Sequence, residues 1–136
     1  MIVLIEKKDW MEPEDIFEGT ITFFIKDHEY RAFSFGYDYK EGSNINVDFV
    51  QLEEDLSWED IFNNNINREK RLNLTGEWSY DGYGEIISIN PVIADFGDII
   101  LDLGDWSNDR RIIGEYIFWK IIRLSIYPIG KEMDIK

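Results

Sequence analysis

The chain contains no cysteine, which removes a disulfide framework and any thiolate-held metal site from consideration. It contains one histidine, His28, set in the polar segment Lys26-Asp27-His28-Glu29. A histidine acting as general base needs an oriented partner and a cleft, and a polar turn supplies neither. No serine sits in a Gly-x-Ser-x-Gly elbow. No apolar run approaches the ~20 residues of a membrane-crossing helix. The five apolar residues Met1–Ile5 are followed by Glu6-Lys7-Lys8. They are too few for a secretory signal, and the charge lies on the wrong side of them. A cytoplasmic location is therefore expected. Together these absences argue for a binding protein that is not an enzyme and carries no cofactor or metal.

Bases are scarce as well. Fourteen Lys and Arg face 28 Asp and Glu, for a net charge of −14. Binding to a nucleic-acid backbone depends on Lys and Arg releasing counterions, so direct nucleic-acid binding is disfavoured. Anionic membrane surfaces are disfavoured for the same reason. A basic protein, by contrast, would be attracted and steered inward. The plain alternative is that the acids serve solubility.

Set against these shortages is an abundance of rings. Nine Phe, seven Tyr and five Trp stand in 136 residues, 44% of which are hydrophobic. That composition gives a single domain with a real core, 1–136, with a frayed tail at 131–136. No boundary, repeat or low-complexity segment interrupts it.

The element pattern is mostly β. Ile2–Ile5 reads as a buried strand and Lys7–Asp15 as a loop. Phe17–Ile25 and Tyr30–Phe35 read as a hairpin joined by the polar turn. Ile45–Leu52 alternates as a strand. Ser57 fits a helix N-cap, with Asp60 three residues on, and the short helix near 57–66 needs Trp58, Ile61 and Phe62 to pack on a sheet. Leu72–Tyr80 and Glu85–Ile89 read as a second hairpin about the turn Asp81-Gly82-Tyr83-Gly84. Val92–Phe96 and Ile99–Leu103 flank Gly97-Asp98. The longest run, Glu115–Tyr127, is dense in β-branched and aromatic residues and reads as a strand in preference to a helix. Eight or nine strands with one short helix predict a mainly β (β-rich α+β) fold, as an antiparallel twisted sheet, a sandwich or a partly closed barrel.

Several motifs carry no chemistry. Asp95-Phe96-Gly97 spells the magnesium tripeptide of protein kinases without the other kinase elements, and a turn glycine after a strand explains it. Asp95, Asp98, Asp102, Asp105 and Asp109 place five carboxylates in fifteen residues. They lack EF-hand spacing, and apolar strand residues separate them.

The distribution of charge is more informative. No base lies between Lys40 and Arg68, where Glu41, Asp48, Glu53, Glu54, Asp55, Glu59 and Asp60 fall. None lies between Arg71 and Arg110, an interval holding Glu77, Asp81, Glu85 and the five aspartates. Such spacing forgoes local ion pairs and accepts self-repulsion. Rings share these intervals. Trp58 and Trp78 are expected in the core, whereas Tyr80, Tyr83 and Trp106 fall at expected turns and are harder to bury. Rings as anchors within an acidic rim suit an interface to a basic protein. The candidate partner-binding residues are Glu53, Glu54, Asp55, Glu59, Asp60, Tyr80, Tyr83, Asp98, Asp102, Asp105, Trp106 and Asp109.

In overall character, across its full length, the chain resembles the immunity proteins of bacterial toxin systems, contact-dependent inhibition included. The likeness is one of size, acidity and cysteine-free composition, and no motif carries it. It implies a small inhibitor that blocks a cognate toxin, frequently a basic nuclease, by covering its active site or substrate groove. A DNA-mimicking or anti-restriction protein of phage origin is the second expectation, and a small-ligand-binding β-barrel the third.

Overall fold

A computed structural model describes residues 1–130; the expected tail at 131–136 lies outside the described residues. Among the described residues, nine strands belong to one mainly antiparallel sheet, with a single short α-helix and two 3₁₀ turns. The expectation of a mainly β fold is met. Its elements gather into two compact units, one from Met1–Val50 with the described residues from Arg123, the other Gln51–Ile122.

The first unit is built on strands β1 (Ile2–Trp10), β2 (Glu18–Ile25), β3 (His28–Phe35) and the first part of β4 (Asn44–Glu53). They lie in the order β3-β2-β1-β4. Alternation dictates the β2–β3 hairpin: Ile21, Phe23 and Ile25 turn inward from one strand, Tyr30, Ala32 and Ser34 from the other. The register closes tightly, Ile25 opposite His28, so only Lys26 and Asp27 form the turn, with Lys26 in the left-handed region at φ 57°. His28 and Glu29, expected in that turn, begin β3. The expected loop at Lys7–Asp15 is also shorter than read, because β1 continues to Trp10 against Gly19. The strand accommodates the charges of Lys7, Lys8 and Asp9 because Lys7 and Asp9 are exposed and Lys8 Nζ reaches Asp38 at 2.7 Å. A Cβ on Gly19 would collide with the Asp9 carbonyl oxygen, so this pairing demands glycine.

The second unit contains α1 (Trp58–Asn63), β5 (Arg71–Leu74), β6 (Tyr80–Ser88), β7 (Ile93–Asp95), β8 (Ile100–Asp102) and the first part of β9 (Tyr116–Pro128). β9 pairs with β6, placing Tyr80 opposite Ile121 and Glu85 opposite Tyr116. β5 and then β7 pair with β6 through Leu74–Tyr80 and Glu85–Asp95. The expected turn at Asp81–Gly84 is absent; those residues lie inside β6. Their glycines answer a different demand. A Cβ on Gly82 would lie 2.8 Å from the Phe96 ring, and one on Gly84 would lie 2.8 Å from both that ring and the Asp95 carbonyl oxygen. They admit a buried phenylalanine over the strand. The actual turn falls at 75–79, where Thr75 N donates to the Ser79 carbonyl at 2.8 Å.

Asn65 ties this unit together. Its Oδ1 accepts from Glu69 N at 2.8 Å, and its Nδ2 donates to the carbonyls of Glu69 at 3.0 Å and Ile117 at 3.1 Å. A buried amide with both ends partnered fixes the chain after α1 against β9. In β9 the buried set is Ile117, Trp119 and Ile121, then Leu124, Ile126 and Pro128. The alternation slips by one residue at 122–123, which a strict period-2 reading of Glu115–Tyr127 cannot anticipate.

Candidate functional site

The site begins with the helix cap. Ser57 Oγ accepts from Asp60 N at 3.1 Å, as the sequence predicts, and Ile61 N donates to the Ser57 carbonyl at 3.1 Å. Six residues of helix cannot persist alone. Ile61 is buried and holds it down. Trp58 does not join the core as expected; it is 53% exposed. The first turn of the helix faces outward while Ile61 turns in, so Trp58 rests its ring on Phe62, one turn on, at 4.6 Å between centroids.

From Trp58 the rings continue. Trp106, in the loop after β8, meets Trp58 edge-on at 5.8 Å. It also meets Phe62 at 6.2 Å and Trp119 of β9, the latter stacked at 5.7 Å with 22° between planes. These offsets match the favourable arrangements of ring quadrupoles. The Trp119 indole N–H donates to Gln51 Oε1 at 3.1 Å, and Gln51 Nε2 donates to Glu53 Oε1 at 2.7 Å. Glu54 N donates to the Lys120 carbonyl at 3.0 Å. The end of β4 and the residues after it are thereby held beside β9, with the Glu53 carboxylate aimed by Gln51.

These pieces enclose a cavity of about 480 Å³. Trp58, Trp106 and Trp119 wall it, with Leu56, Ile61 and Leu103, and Glu53, Glu54, Asp55 and Asp105 line it. The Trp106 Nε1–H is buried and has no acceptor among the described residues. A buried donor without a partner costs about 1–3 kcal/mol, and native structures hold few of them. No family model, curated protein or solved structure matches the chain.

What neutralises the acids is the deciding question. The unit contains six bases, Arg68, Lys70, Arg71, Arg110, Arg111 and Lys120. Lys70 bridges Glu85 at 3.1 Å and Asp95 at 3.3 Å. Lys120 reaches Asp81 at 3.5 Å, Arg71 holds Glu69 at 3.1 Å, and Arg111 holds Asp109 at 2.9 Å. The hydrogen bonds that the Lys70 ammonium donates to Glu85 and Asp95 push its pKa upward from the ordinary value. The Arg111 side chain, and then its backbone N–H, holds Asp109 below the usual carboxylate value. Among the described residues, no base pairs with Glu53, Glu54, Asp55 or Asp105.

The structure thus gathers five of the expected residues, Glu53, Glu54, Asp55, Asp105 and Trp106, and leaves the others elsewhere. Glu59 and Asp60 sit exposed in the first turn of α1. Asp98 is half-buried between β7 and β8, with a partner of its own. Asp102 turns the chain after β8, its Oδ1 accepting from Gly104 N at 2.8 Å. Asp109 caps the following 3₁₀ turn by accepting from Arg111 N at 3.0 Å. Tyr80 is not a surface anchor: at 1% exposure it is core, because β6 has already begun there. Tyr83 is half-buried, covered by the Arg71 guanidinium at 4.4 Å and lying 5.4 Å from Phe118.

Sequence reasoning missed Trp58, Trp119 and Gln51 as site residues. Trp58 carried a signal, since it stands directly after a helix cap among acids. Trp119 and Gln51 carried none, because each occupies an ordinary place in an alternating strand.

Proposed function

We propose that the protein is an inhibitor of the immunity type, which binds a basic protein partner, such as a nuclease toxin, through the surface around Glu53–Asp55 and Asp105. One observation carries this reading. Four carboxylates surround a ring-walled cavity while four of the unit's six bases, Lys70, Arg71, Arg111 and Lys120, pair with other acids. Such a surface keeps its electrostatic attraction for an incoming cation, because no internal ion pair must first be broken. The rings supply apolar contact area of the sort that anchors tight interfaces.

A DNA mimic would need carboxylates presented in a regular row. The fifteen-residue acidic run is divided instead, Asp95 being held by Lys70 and Asp109 by Arg111. This favours a compact patch.

The test is a binding isotherm with the basic partner, comparing the native chain with a triple charge reversal, Glu53→Lys, Glu54→Lys and Asp55→Lys. The expected interface buries ~1,600 Å², and affinity should fall as salt rises. An unchanged isotherm for the charge-reversed chain would overturn the assignment of this surface.

A further inference from the structure

We infer that the cavity bounded by Trp58, Trp106 and Trp119 is a receptor for an arginine side chain of that basic partner. The inference rests on the proposed function and specifies what enters the site.

Size comes first. About 480 Å³ falls within the ~300–1,000 Å³ of pockets that take whole small ligands. A cavity of that size admits a long side chain with its stem, beyond a bare ammonium tip. Chemistry then chooses among cations. The walls are indole rings, and a cation over an indole face is attracted by the ring quadrupole, most strongly when water is excluded. Lys and Arg both respond to that field, but they differ in what they give up. The ammonium is compact and strongly hydrated, so entry between rings strips water that Trp58 and Trp106 cannot replace. The guanidinium is planar, delocalised and weakly hydrated, and it stacks on a ring while its N–H groups point outward in the ring plane.

Those N–H groups need carboxylates at the rim, and Glu53 is prepared for the role. Gln51 holds one of its oxygens at 2.7 Å and is itself held by the Trp119 indole. One oxygen is thus oriented from behind, and the other is left to accept. Glu54 and Asp55 follow directly in the chain, and Asp105 is adjacent to Trp106. Fork-shaped donors paired with carboxylates make the strongest and most directional of the charged hydrogen bonds.

The experiment uses the intact chain and tryptophan fluorescence, with acetylated nona-arginine, nona-lysine and nona-trimethyllysine peptides and spermidine as probes. Nona-arginine should bind about tenfold more tightly than nona-lysine, a difference between the exposed and the desolvated limits of a cation–π contact. Trp58→Ala should abolish that preference, weakening nona-arginine by about tenfold and nona-lysine by less. Glu53→Gln, which preserves the shape and the bond from Gln51, should weaken nona-arginine by a similar factor and serves if Trp58→Ala does not fold. Equal binding of the two peptides, unaffected by Trp58→Ala, would overturn the arginine receptor while leaving an acidic docking surface standing. Preference for trimethyllysine or spermidine would overturn it in favour of a different cation. Failure of every probe to bind would remove both the receptor and the cationic-partner reading beneath it.

Discussion

Gln51 accepts the indole proton of Trp119 at 3.1 Å, and this contact joins the ring stack to the acidic segment. Gln51→Leu keeps comparable bulk but removes the acceptor, so a buried N–H loses its partner. The expected cost is about 1–3 kcal/mol in urea unfolding. Because Gln51 also positions Glu53, arginine-peptide affinity should fall further than in a variant of equal instability elsewhere. An unfolding midpoint identical to that of the native chain would show that the indole proton has another acceptor.

The two glycines of β6 make a sharper prediction, because their surroundings differ. A methyl at either position meets Phe96, which is fully buried and cannot swing aside. Gly82→Ala and Gly84→Ala should each destabilise by about 1–3 kcal/mol, the range for overpacking a filled core. The second substitution Phe96→Leu should relieve Gly82→Ala but not Gly84→Ala, where the Asp95 carbonyl oxygen lies equally close. A double-mutant cycle in urea checks this: coupling is expected for the first pair and little for the second.

Those glycines also explain where the sequence was legible and where it was not. The β2–β3 hairpin, the Ser57 cap and the long β9 were readable because each rests on a local cause: alternation, a hydroxyl at the right offset, or a density of β-branched side chains. Asp81–Gly84 looks like a turn because glycine has one letter for two physical uses, positive φ and close approach. Choosing between them requires knowing that Phe96 returns over the strand. Misplacing that turn made Tyr80 look like a surface ring. The cavity was only partly visible, since its walls come from 53–61, 103–106 and 119, and nothing local joins those segments. The acids were found through the long intervals without bases. Which acids stay unpaired depended on where Lys70, Lys120 and Arg111 came to rest.

Tyr39 should make the fold sensitive to alkali. It is fully buried; its hydroxyl accepts from Ser34 Oγ at 3.2 Å and donates to the Ile126 carbonyl at 3.4 Å. Burial pushes its pKa from 10.0 up to about 12. The folded state thus holds this proton more firmly than the unfolded chain does. That contribution is complete below pH 10 and is lost as the pH rises toward 12. Tyr39→Phe has no such proton, so the stability difference between it and the native chain should shrink across that window. Tyr127 is raised as well, by burial and by Asp48, but it is common to both chains and cancels. Below pH 10, Tyr39→Phe should cost about 1–3 kcal/mol, because Ser34 Oγ is left buried without its acceptor. A difference that stays constant through the alkaline window would contradict this account.

Glu6 offers the opposite case, a charge the fold would do better without. It lies where the β1–β2 register shifts, between Ile5 and Lys7. Desolvation, then repulsion from Glu29, then a hydrogen bond with Glu29 raise its pKa above 4.5. A raised carboxyl pKa means that the folded chain binds this proton more tightly than the unfolded one. The favourable contribution is therefore complete below pH 4.5 and falls away as the pH rises through the folded value. At neutral pH the ionised Glu6 opposes folding. Glu6→Gln keeps the shape and can still bond with Glu29, yet carries no charge, so its melting temperature at pH 7 should exceed that of the native chain. On acidification below 4.5 the two melting curves should converge, since native Glu6 is then neutral too. Parallel thermal melts of both chains across this range decide the matter, and a native chain that melts higher at pH 7 would refute the sign.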